Sequence, residues 1–300
     1  MFSQEVEKVK EKGKLYFIVA MLIFSTIGIF VRYIPYPSSF IAFTRGIIGF
    51  AVIVLTMLLR KQKSDKRAIK ENLVLLVVSG AFIGINWVAL FESYRYTTVA
   101  TATLCYYLAP MFVILASPLV FRERLTAKKI ICLVTALAGM SLVSGVFESD
   151  SVGENQLKGI VFGITAAAFY ASVMIMNKKM KELPATDKTY IQLICAAAVV
   201  GVYALFTVKP DEIAFDARSV LLLIFVGAFH TGFAYTLYFG SMKSMKSQSV
   251  AILSYIDPVF ALILSALILK EQMSLPGVIG AVMVLGAAFV CDLPEKNEIG

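Results

Sequence analysis

The sequence has little charge for its length and almost no histidine. Charged residues make up 16% of the 300-residue chain and hydrophobic residues 59%, with a mean hydropathy of +0.80. Soluble domains carry about 25% charged residues, so this composition excludes an ordinary soluble fold and favours a chain surrounded by lipid. His230 is the only histidine, and the four cysteines form no Cys-x-x-Cys pair. The sequence therefore lacks the ligands of a zinc centre, and neither a metal nor a cofactor is expected.

Motifs for several other classes of protein are also missing from the sequence. No Gly-x-x-x-x-Gly-Lys-Ser/Thr loop occurs, so the chain by itself is not an ATP-driven pump. The net charge is +8, but the basic residues lie in short segments between apolar stretches and accompany no nucleic-acid-binding motif. No nucleic-acid partner is therefore expected, and the basic segments are interpreted as signals for membrane insertion.

What the sequence does contain is ten apolar stretches, each long enough to cross a bilayer as a helix. A crossing of about 30 Å of hydrocarbon needs roughly 20 residues, at about 1.5 Å per residue. The predicted spans cover residues 15–34, 38–59, 73–93, 99–121, 127–147, 158–177, 187–207, 219–240, 248–269 and 275–292. We therefore expect an all-α integral membrane protein with ten transmembrane helices.

The distribution of lysine and arginine predicts the orientation of the chain. With a cytoplasmic N-terminus, the inner segments hold 21 of these residues and the outer loops hold 6. Short loops rich in lysine and arginine stay in the cytoplasm. Both termini are therefore expected inside, in a multi-pass protein of the cytoplasmic (cell) membrane.

The two halves of the sequence are related to each other. Residues 86–145 align without a gap on residues 234–293, so that Tyr107-Leu108-Ala109-Pro110 lies over Tyr255-Ile256-Asp257-Pro258. Each half holds five predicted spans, and because five is odd the second half must enter the membrane in the opposite sense. Paired repeats of this kind are the usual build of a secondary transporter, with the site where the repeats meet. The expected organisation is a first repeat at 1–147, an outer linker at 148–157 and a second repeat at 158–300.

Two proline-containing helices and the segments that follow them carry a family resemblance. The helices with Pro110 and Pro258 are each followed by an apolar run that ends in Glu123-Arg124-Leu125 or Glu271-Gln272-Met273, and then by a helix rich in glycine and alanine. This pattern resembles the EamA family of the drug/metabolite transporter superfamily over nearly the whole chain. The resemblance implies two inverted five-helix repeats. It also implies a secondary transporter for amino acids or related small polar metabolites, which works in most members as an exporter.

Two charged residues inside the predicted spans are the first candidates for function. Asp257 is expected near the middle of the bilayer, where an unpaired carboxylate is costly and where such groups line pathways or relay protons. The alternative is a neutral acid that is hydrogen-bonded to a neighbouring helix. Arg45 lies on the order of 10 Å inside the outer boundary, where it either snorkels to the headgroups or faces a cavity and binds a substrate carboxylate or Asp257. The resemblance favours functional roles, because many EamA members have an arginine and an acidic residue at these positions.

Pro110 and Pro258 predict helix kinks near the middle of the membrane. A proline removes its own hydrogen-bond donor and displaces the carbonyl four residues earlier, and a freed carbonyl in lipid needs a partner or a water-filled cavity. Broken helices at matching positions of two repeats mark transporter sites. The alternative is a bend that improves packing only.

Polar and aromatic side chains near these kinks are the expected substrate contacts. The predicted binding set is Arg45, Asn86, Trp87, Tyr107 and Tyr255. The resemblance places the third and fourth helices of each repeat around the cavity, although any one of these side chains could instead complete the packing between helices. His230 joins Asp257 as a proton-relay candidate, with a packed core histidine as the alternative. Glu271, at a helix end beside Lys270, is interpreted as an anchor for its loop.

Two functions from other classes are the alternatives to transport. An intramembrane enzyme acting on a lipid or peptide would need a metal motif, a serine elbow or paired aspartates. A passive channel would need rings of charge or a filter loop, and the sequence shows none of these features. The expected partners are therefore a small-molecule substrate and the lipid bilayer, with the protein a monomer or homodimer.

Overall fold

The described part of the protein consists of helices joined by short turns. The structure is a computed structural model that describes residues 2–122, 126–143, 153–213, 216–242, 253–254 and 256–293. Within these ranges no strand occurs. The expected all-α fold is therefore confirmed.

As far as residue 143, the described chain forms eight helices. They are α1 (Phe2–Ser25), α2 (Ile27–Arg32), α3 (Ser38–Leu59), α4 (Lys66–Glu71), α5 (Leu73–Tyr96), α6 (Val99–Tyr106), α7 (Ala109–Val120) and α8 (Ala127–Val143). Thr98 caps α6 by accepting a hydrogen bond from the Thr101 N–H at 3.0 Å. Asp65 caps α4 in the same way through the Ala68 N–H, also at 3.0 Å. Short polar side chains here satisfy N–H groups that the first turn of a helix leaves without a partner.

The first predicted span, 15–34, is divided into α1 and α2. The hydroxyls of Ser25 and Thr26 donate hydrogen bonds to the carbonyls of Leu22 and Ile23, at 2.7 and 2.8 Å. Bonds from serine and threonine side chains to the preceding turn bend helices. The interruption therefore has a local cause, because two such residues are adjacent.

From residue 153 onward, the second part of the chain continues the pattern of long helices. It forms α9 (Glu154–Lys179), α10 (Ala185–Thr207), a 3₁₀ turn (Pro210–Glu212), α11 (Ala217–Phe225), a π-helical segment (Val226–Phe233), α12 (Ala234–Met242), α13 (Ile256–Ile268) and α14 (Leu275–Asp292). Helices α11 and α12 continue into the π-helical segment at its two ends. π-Helical turns are rare and occur frequently at functional sites, so this segment, called the π segment below, marks a candidate region.

Seven of these helical stretches are long and apolar enough to cross a membrane. They are Lys12–Arg32, Ser38–Leu59, Leu73–Tyr96, Val99–Val120, Glu154–Lys179, Ala185–Thr207 and Ala217–Tyr238. The apolar helices Ile256–Ile268 and Leu275–Val290 are shorter, and α8 has 17 residues. The start of the predicted ninth span falls on residues outside the description. The protein is therefore a multi-pass membrane protein, and the count of ten spans stays a prediction.

The helices pack in pairs that correspond to one another when the two halves are exchanged. In chain order, α1, α3 and α8 of the first half correspond to α9, α10 and α14 of the second. The contact of α5 with α9 corresponds to the contact of α12 with α1. The contact of α5 with α10 corresponds to the contact of the π segment with α3. Three further contacts, α3 with α10, α8 with α14 and α6 with α13, join helices that correspond to each other. The contacts between the halves therefore repeat as the sequence does.

Helices α8 and α14 approach each other at a pair of glycines. A Cβ atom built on Gly280 would lie 2.4 Å from the Gly139 carbonyl oxygen, and one built on Gly139 would lie 2.7 Å from the Gly280 carbonyl oxygen. Only glycine allows this separation, because backbone cannot move aside as a flexible side chain can. In lipid, where burial of apolar surface offers little drive, close packing of small residues holds helices together.

The helix ends define two ends of the bundle. At one end, called the basic end, the turn after α3 meets the start of α10: the Gln62 side-chain amide donates to the Thr186 hydroxyl at 2.9 Å, and the Asp65 N–H donates to Asp187 at 2.8 Å. The lysine- and arginine-rich segments 60–72 and 178–188 lie here. The opposite end holds the end of α2, the turn between α5 and α6, and the turn between α13 and α14.

Candidate functional site

Arg45 of α3 lies inside the helix bundle. The residue is 5% exposed, and its Nε–H donates a hydrogen bond to the Thr231 hydroxyl of the π segment at 2.6 Å. Its Cζ atom lies 4.3 Å from the centroid of the Trp87 ring and 5.6 Å from that of Phe91. Aromatic faces at these distances stabilise a cation. Of the two orientations considered from the sequence, the side chain adopts the inward one and does not extend to the headgroup region.

The two terminal nitrogens of Arg45 have no hydrogen-bond partner among the described residues. Among the described residues, no hydrogen bond or carboxylate contact involves Nη1 or Nη2, so Arg45 and Asp257 do not form an ion pair. Neither nitrogen belongs to the described buried polar atoms that lack both a partner and solvent contact, so each retains some solvent-accessible area. A guanidinium held by Nε and by two rings presents its remaining N–H groups as a fork, which matches the two oxygens of a carboxylate.

Asp257 and Tyr107 join the two halves of the chain. Asp257 lies in the first turn of α13, and the Tyr107 hydroxyl donates a hydrogen bond to its Oδ2 atom at 2.8 Å. Tyr107 stands where the fourth predicted span is interrupted: α6 ends at Tyr106, and α7 begins at Ala109 with Pro110 next to it. The tyrosine hydroxyl can reach across to α13 because the chain leaves the helix at this point.

Six tyrosines surround the space between Arg45 and Asp257. This tyrosine cluster consists of Tyr94, Tyr106, Tyr107, Tyr170, Tyr235 and Tyr238. Tyr94 and Tyr106 lie within electrostatic range of both charged residues. Tyr106 stacks on Tyr170 with ring centroids 5.1 Å apart and meets Tyr107 edge to face at 6.2 Å. Arg45 and Asp257 therefore lie near the same tyrosine cluster, and the region between them is called the chamber below.

A cavity of about 330 Å³ leads from the basic end toward the tyrosine cluster. At its mouth lie the ends of α3 and α10, with Gln62, Thr186 and Thr189 on the wall, and at its inner limit lies Tyr235. Several hydroxyl and amide groups line it, which a polar solute needs in order to leave water. The cavity therefore extends from the basic end as far as Tyr235, a member of the tyrosine cluster.

His230 lies beside the chamber in an apolar surrounding. The residue is fully buried, and Phe30, Phe225 and Phe229 contact its ring at centroid distances of 5.1, 5.5 and 5.7 Å. Its Nε2 atom lies 2.8 Å from the Thr26 hydroxyl, which is also 2.8 Å from the Ile23 carbonyl oxygen. Among the described residues, Nδ1 has no partner. These surroundings resemble those of a packed core histidine, and the proton-relay role of His230 stays a prediction.

The other predicted site residues have different surroundings. The Asn86 side-chain amide donates to the Ala166 carbonyl at 2.6 Å, a contact that joins α5 to α9 and commits this N–H group to packing. Trp87 is buried under Arg45. Pro258 is buried in the first turn of α13, while Tyr255 lies outside the described residues.

Several residues of this region were not predicted from the sequence. Thr231, which holds Arg45, and the tyrosines Tyr94, Tyr106 and Tyr235 were absent from the binding set. A signal for Tyr235 did exist, because the internal alignment places it over Trp87. Both members of this repeat pair lie near Arg45. Comparing aromatic residues between the repeats would have found it.

With this geometry established, the chain can be compared with known proteins. The EamA-like transporter family matches it twice, over residues 11–145 and 157–291. The chain belongs to the EamA-like transporter family. An uncharacterized transporter of Bacillus subtilis, YxxF, is 26% identical over 277 residues, which cover 92% of this chain and 88% of the relative. An uncharacterized transporter of Archaeoglobus fulgidus is 25% identical over 280 residues, covering 93% and 95% of the two chains.

The fold is also similar to that of a solved protein. A protein of known crystal structure has 18% sequence identity to this chain. The match covers 94% of this chain and 96% of that protein, with a TM-score of 0.64. At this identity the likeness concerns the fold alone. The family membership and the transporter relatives make this EamA protein a membrane transporter, and they point away from an enzyme.

Proposed function

We propose that this EamA protein is a secondary transporter that moves a small zwitterionic metabolite, such as an amino acid or a related compound, out of the cell by alternating access. The observation that carries the proposal is Arg45: a buried guanidinium, held by Thr231 and Trp87, whose two terminal nitrogens have no partner among the described residues. A fixed positive charge with an unoccupied fork, placed in a membrane chamber, fits an anionic group of a substrate.

The first contact of the proposed substrate is a carboxylate on Arg45. A bidentate arginine–carboxylate pair makes two charge-assisted hydrogen bonds, which are about twice as strong as neutral ones. The pair gains more here than on a surface, because the local dielectric constant is lower than that of water. The side chain is already positioned by Thr231, so little rotamer freedom is lost when the substrate binds.

The second contact is a substrate ammonium group near Asp257. The Oδ2 atom accepts the Tyr107 hydrogen bond. The other carboxylate oxygen is not among the described buried atoms that lack a partner, and in this proposal it accepts a hydrogen bond from the substrate. The tyrosine faces around it attract a cation through their ring electrons. Opposite charges at the two ends of the chamber are complementary to a zwitterion, and Asp257 is also positioned to exchange a proton during transport.

Alternating access follows from the repeated organisation that we propose. The chain is divided into a first repeat at 1–147, a linker at 148–157 and a second, inverted repeat at 158–300, with ten spans in all. The correspondence of helix contacts under exchange of the halves supports this arrangement. If the two halves can exchange conformations, the chamber opens first at one end of the bundle and then at the other.

We propose that the basic end faces the cytoplasm, which makes the cavity in this conformation an inward-facing one. The test is cysteine labelling in a background without Cys105, Cys132, Cys195 and Cys291. A membrane-impermeant maleimide should label Asp211→Cys in intact cells. It should label Lys63→Cys only after permeabilisation. Both native residues are exposed, so access to the reagent depends on the side of the membrane alone. The reverse pattern would contradict the orientation, and labelling of both in intact cells would contradict the ten-span topology.

The function itself is tested with purified protein. Ligand binding to the folded state raises the melting temperature by mass action. At a ligand concentration of 100 times the Kd, the free energy of unfolding increases by about 2.7 kcal/mol. A panel of amino acids, nucleosides and sugars should therefore identify stabilising compounds among the zwitterions. Proteoliposomes should then show saturable uptake and counterflow of the stabilising compound. Stabilisation by sugars or nucleosides alone, or flux that does not saturate, would contradict the proposal.

A further inference from the structure

Glu271 makes a set of contacts that join the two halves at the opposite end of the bundle. It belongs to the turn between α13 and α14, and its carboxylate accepts hydrogen bonds from the Val99 N–H at 2.9 and 3.1 Å and from the Ala100 N–H at 3.5 Å. These N–H groups begin α6, whose remaining N-terminal donor, that of Thr101, is satisfied by Thr98. A carboxylate at this position also interacts favourably with the helix dipole.

Arg32 completes the contact from a third element. Its Nη2–H donates to the Glu271 carboxylate at 3.1 Å, and its Nη1–H donates to the Tyr94 carbonyl near the end of α5. The side chain of Glu271 is only 10% exposed, so the ion pair is partly protected from screening by salt. Glu271 of the second half thus holds the end of α2 and the beginning of α6, both of the first half.

The chain around Glu271 is built to hold the carboxylate in this position. The Ser265 hydroxyl donates to it, and the Ser265 carbonyl accepts from the Glu271 N–H at 3.3 Å. Lys270, directly before it, has a φ angle of 55°, in the left-handed region that non-glycine residues rarely adopt. Arg122, which the internal alignment places over Lys270, has a φ angle of 59°. The left-handed conformation therefore occurs at corresponding positions of both halves.

These contacts lie at the end of the bundle away from the cavity. The cavity extends from the basic end as far as Tyr235 of the tyrosine cluster. A path to the opposite end requires α6 to move away from the turn between α13 and α14, and such a movement breaks the bonds from Val99 and Arg32 to Glu271. We propose that Glu271 is the latch of the outer gate: its carboxylate keeps the gate closed while the cavity is open at the basic end, and must release α6 and Arg32 before the chamber opens outward.

This inference rests on the proposed alternating access, but its test needs no substrate. Replacing Glu271 with glutamine removes the charge and leaves one oxygen where the carboxylate offered two, while the side-chain shape is kept. The ion pair with Arg32 and one of the bonds from the start of α6 are lost. The conformational equilibrium should move toward the outward-open state by about tenfold, which corresponds to about 1.4 kcal/mol.

Two reporter cysteines measure the shift in a background without the native cysteines. Thr101→Cys lies in α6 beside the gate and is 6% exposed in this conformation; Thr189→Cys lies on the cavity wall. In the Glu271→Gln protein, labelling of Thr101→Cys by an impermeant maleimide from the outside should become about tenfold faster. Labelling of Thr189→Cys in inside-out vesicles should become slower, since the two openings exclude each other.

The matched control is Glu92→Gln. Glu92 is a carboxylate that pairs with Arg95 of the same helix at 3.5 Å and makes no contact between the halves among the described residues. Its replacement should leave both labelling rates unchanged. Unchanged rates in Glu271→Gln would overturn the latch. Faster labelling at both reporters would also overturn it, because that result indicates a loosened fold rather than a shift between two states.

Discussion

Replacing Arg45 with lysine is expected to lower the affinity for a carboxylate-bearing substrate by about tenfold to a hundredfold, with the folded protein retained. Hydrogen bonds to charged groups contribute about 1.5–3 kcal/mol each, and lysine keeps the charge but lacks the planar fork that can bind both carboxylate oxygens. Lysine also cannot donate a hydrogen bond to Thr231 while its ammonium group lies over the Trp87 ring. The affinity is measured by titration calorimetry or by the thermal shift of purified protein.

The control for this substitution is Arg95→Lys. Arg95 lies at the end of α5 and is exposed, and it pairs with Glu92, so its replacement should leave affinity unchanged. If Arg45→Lys binds and transports every carboxylate substrate as well as the unmodified protein does, Arg45 is not the carboxylate site. A loss that is equal for substrates with and without a carboxylate would indicate a role in packing.

Replacing Asp257 with asparagine is expected to abolish the dependence of transport on pH and to reduce flux by about tenfold. Asparagine preserves the size of the side chain and can accept the Tyr107 hydrogen bond, but it cannot take up and release a proton. Carboxylates within membrane proteins commonly act as such relays. Flux into proteoliposomes is measured between about pH 5 and pH 8, with an imposed pH gradient and without one.

Tyr107→Phe separates the proton from the hydrogen bond. This variant loses the bond to Asp257 at 2.8 Å but keeps the carboxylate, so its flux should remain dependent on pH. The groups that surround the carboxylate are tyrosines, namely Tyr94, Tyr106, Tyr107, Tyr170 and Tyr238. If Asp257→Asn retains the full pH response, proton exchange takes place elsewhere and the relay is wrong.

The long helices could be predicted from the sequence because a membrane span leaves a simple apolar pattern. The span predicted at 38–59 is α3, and the span predicted at 73–93 is α5 without its last turn. That turn was missed because it is polar: it consists of Tyr94, Arg95 and Tyr96, and Arg95 pairs with Glu92 at 3.5 Å. The π segment was not predicted either, since it has no sequence pattern of its own.

The candidate site was predicted less completely, for a different reason. Arg45, Trp87, Tyr107 and Asp257 could be selected because polar or aromatic residues in apolar spans are conspicuous. The partners of Arg45 could not, because Thr231 is one of many threonines and lies 186 positions away. Glu271 was interpreted from its neighbours in the sequence, whereas its partner Val99 lies 172 positions away. Contacts over such distances depend on how the halves pack.

The bond between Arg45 and Thr231 has a consequence for inhibitors. Arg45 lies in the first family match and Thr231 in the second, so the residue proposed to hold the substrate is itself held across the interface that moves in the proposed transport cycle. Binding and movement are then linked. A ligand that binds one arrangement more tightly by a given factor shifts the equilibrium between the two arrangements by the same factor. A compound that fits only this arrangement would stop the cycle after binding. The tightest ligands of this EamA protein are therefore expected to be arresting inhibitors, and its best substrates to bind with moderate affinity.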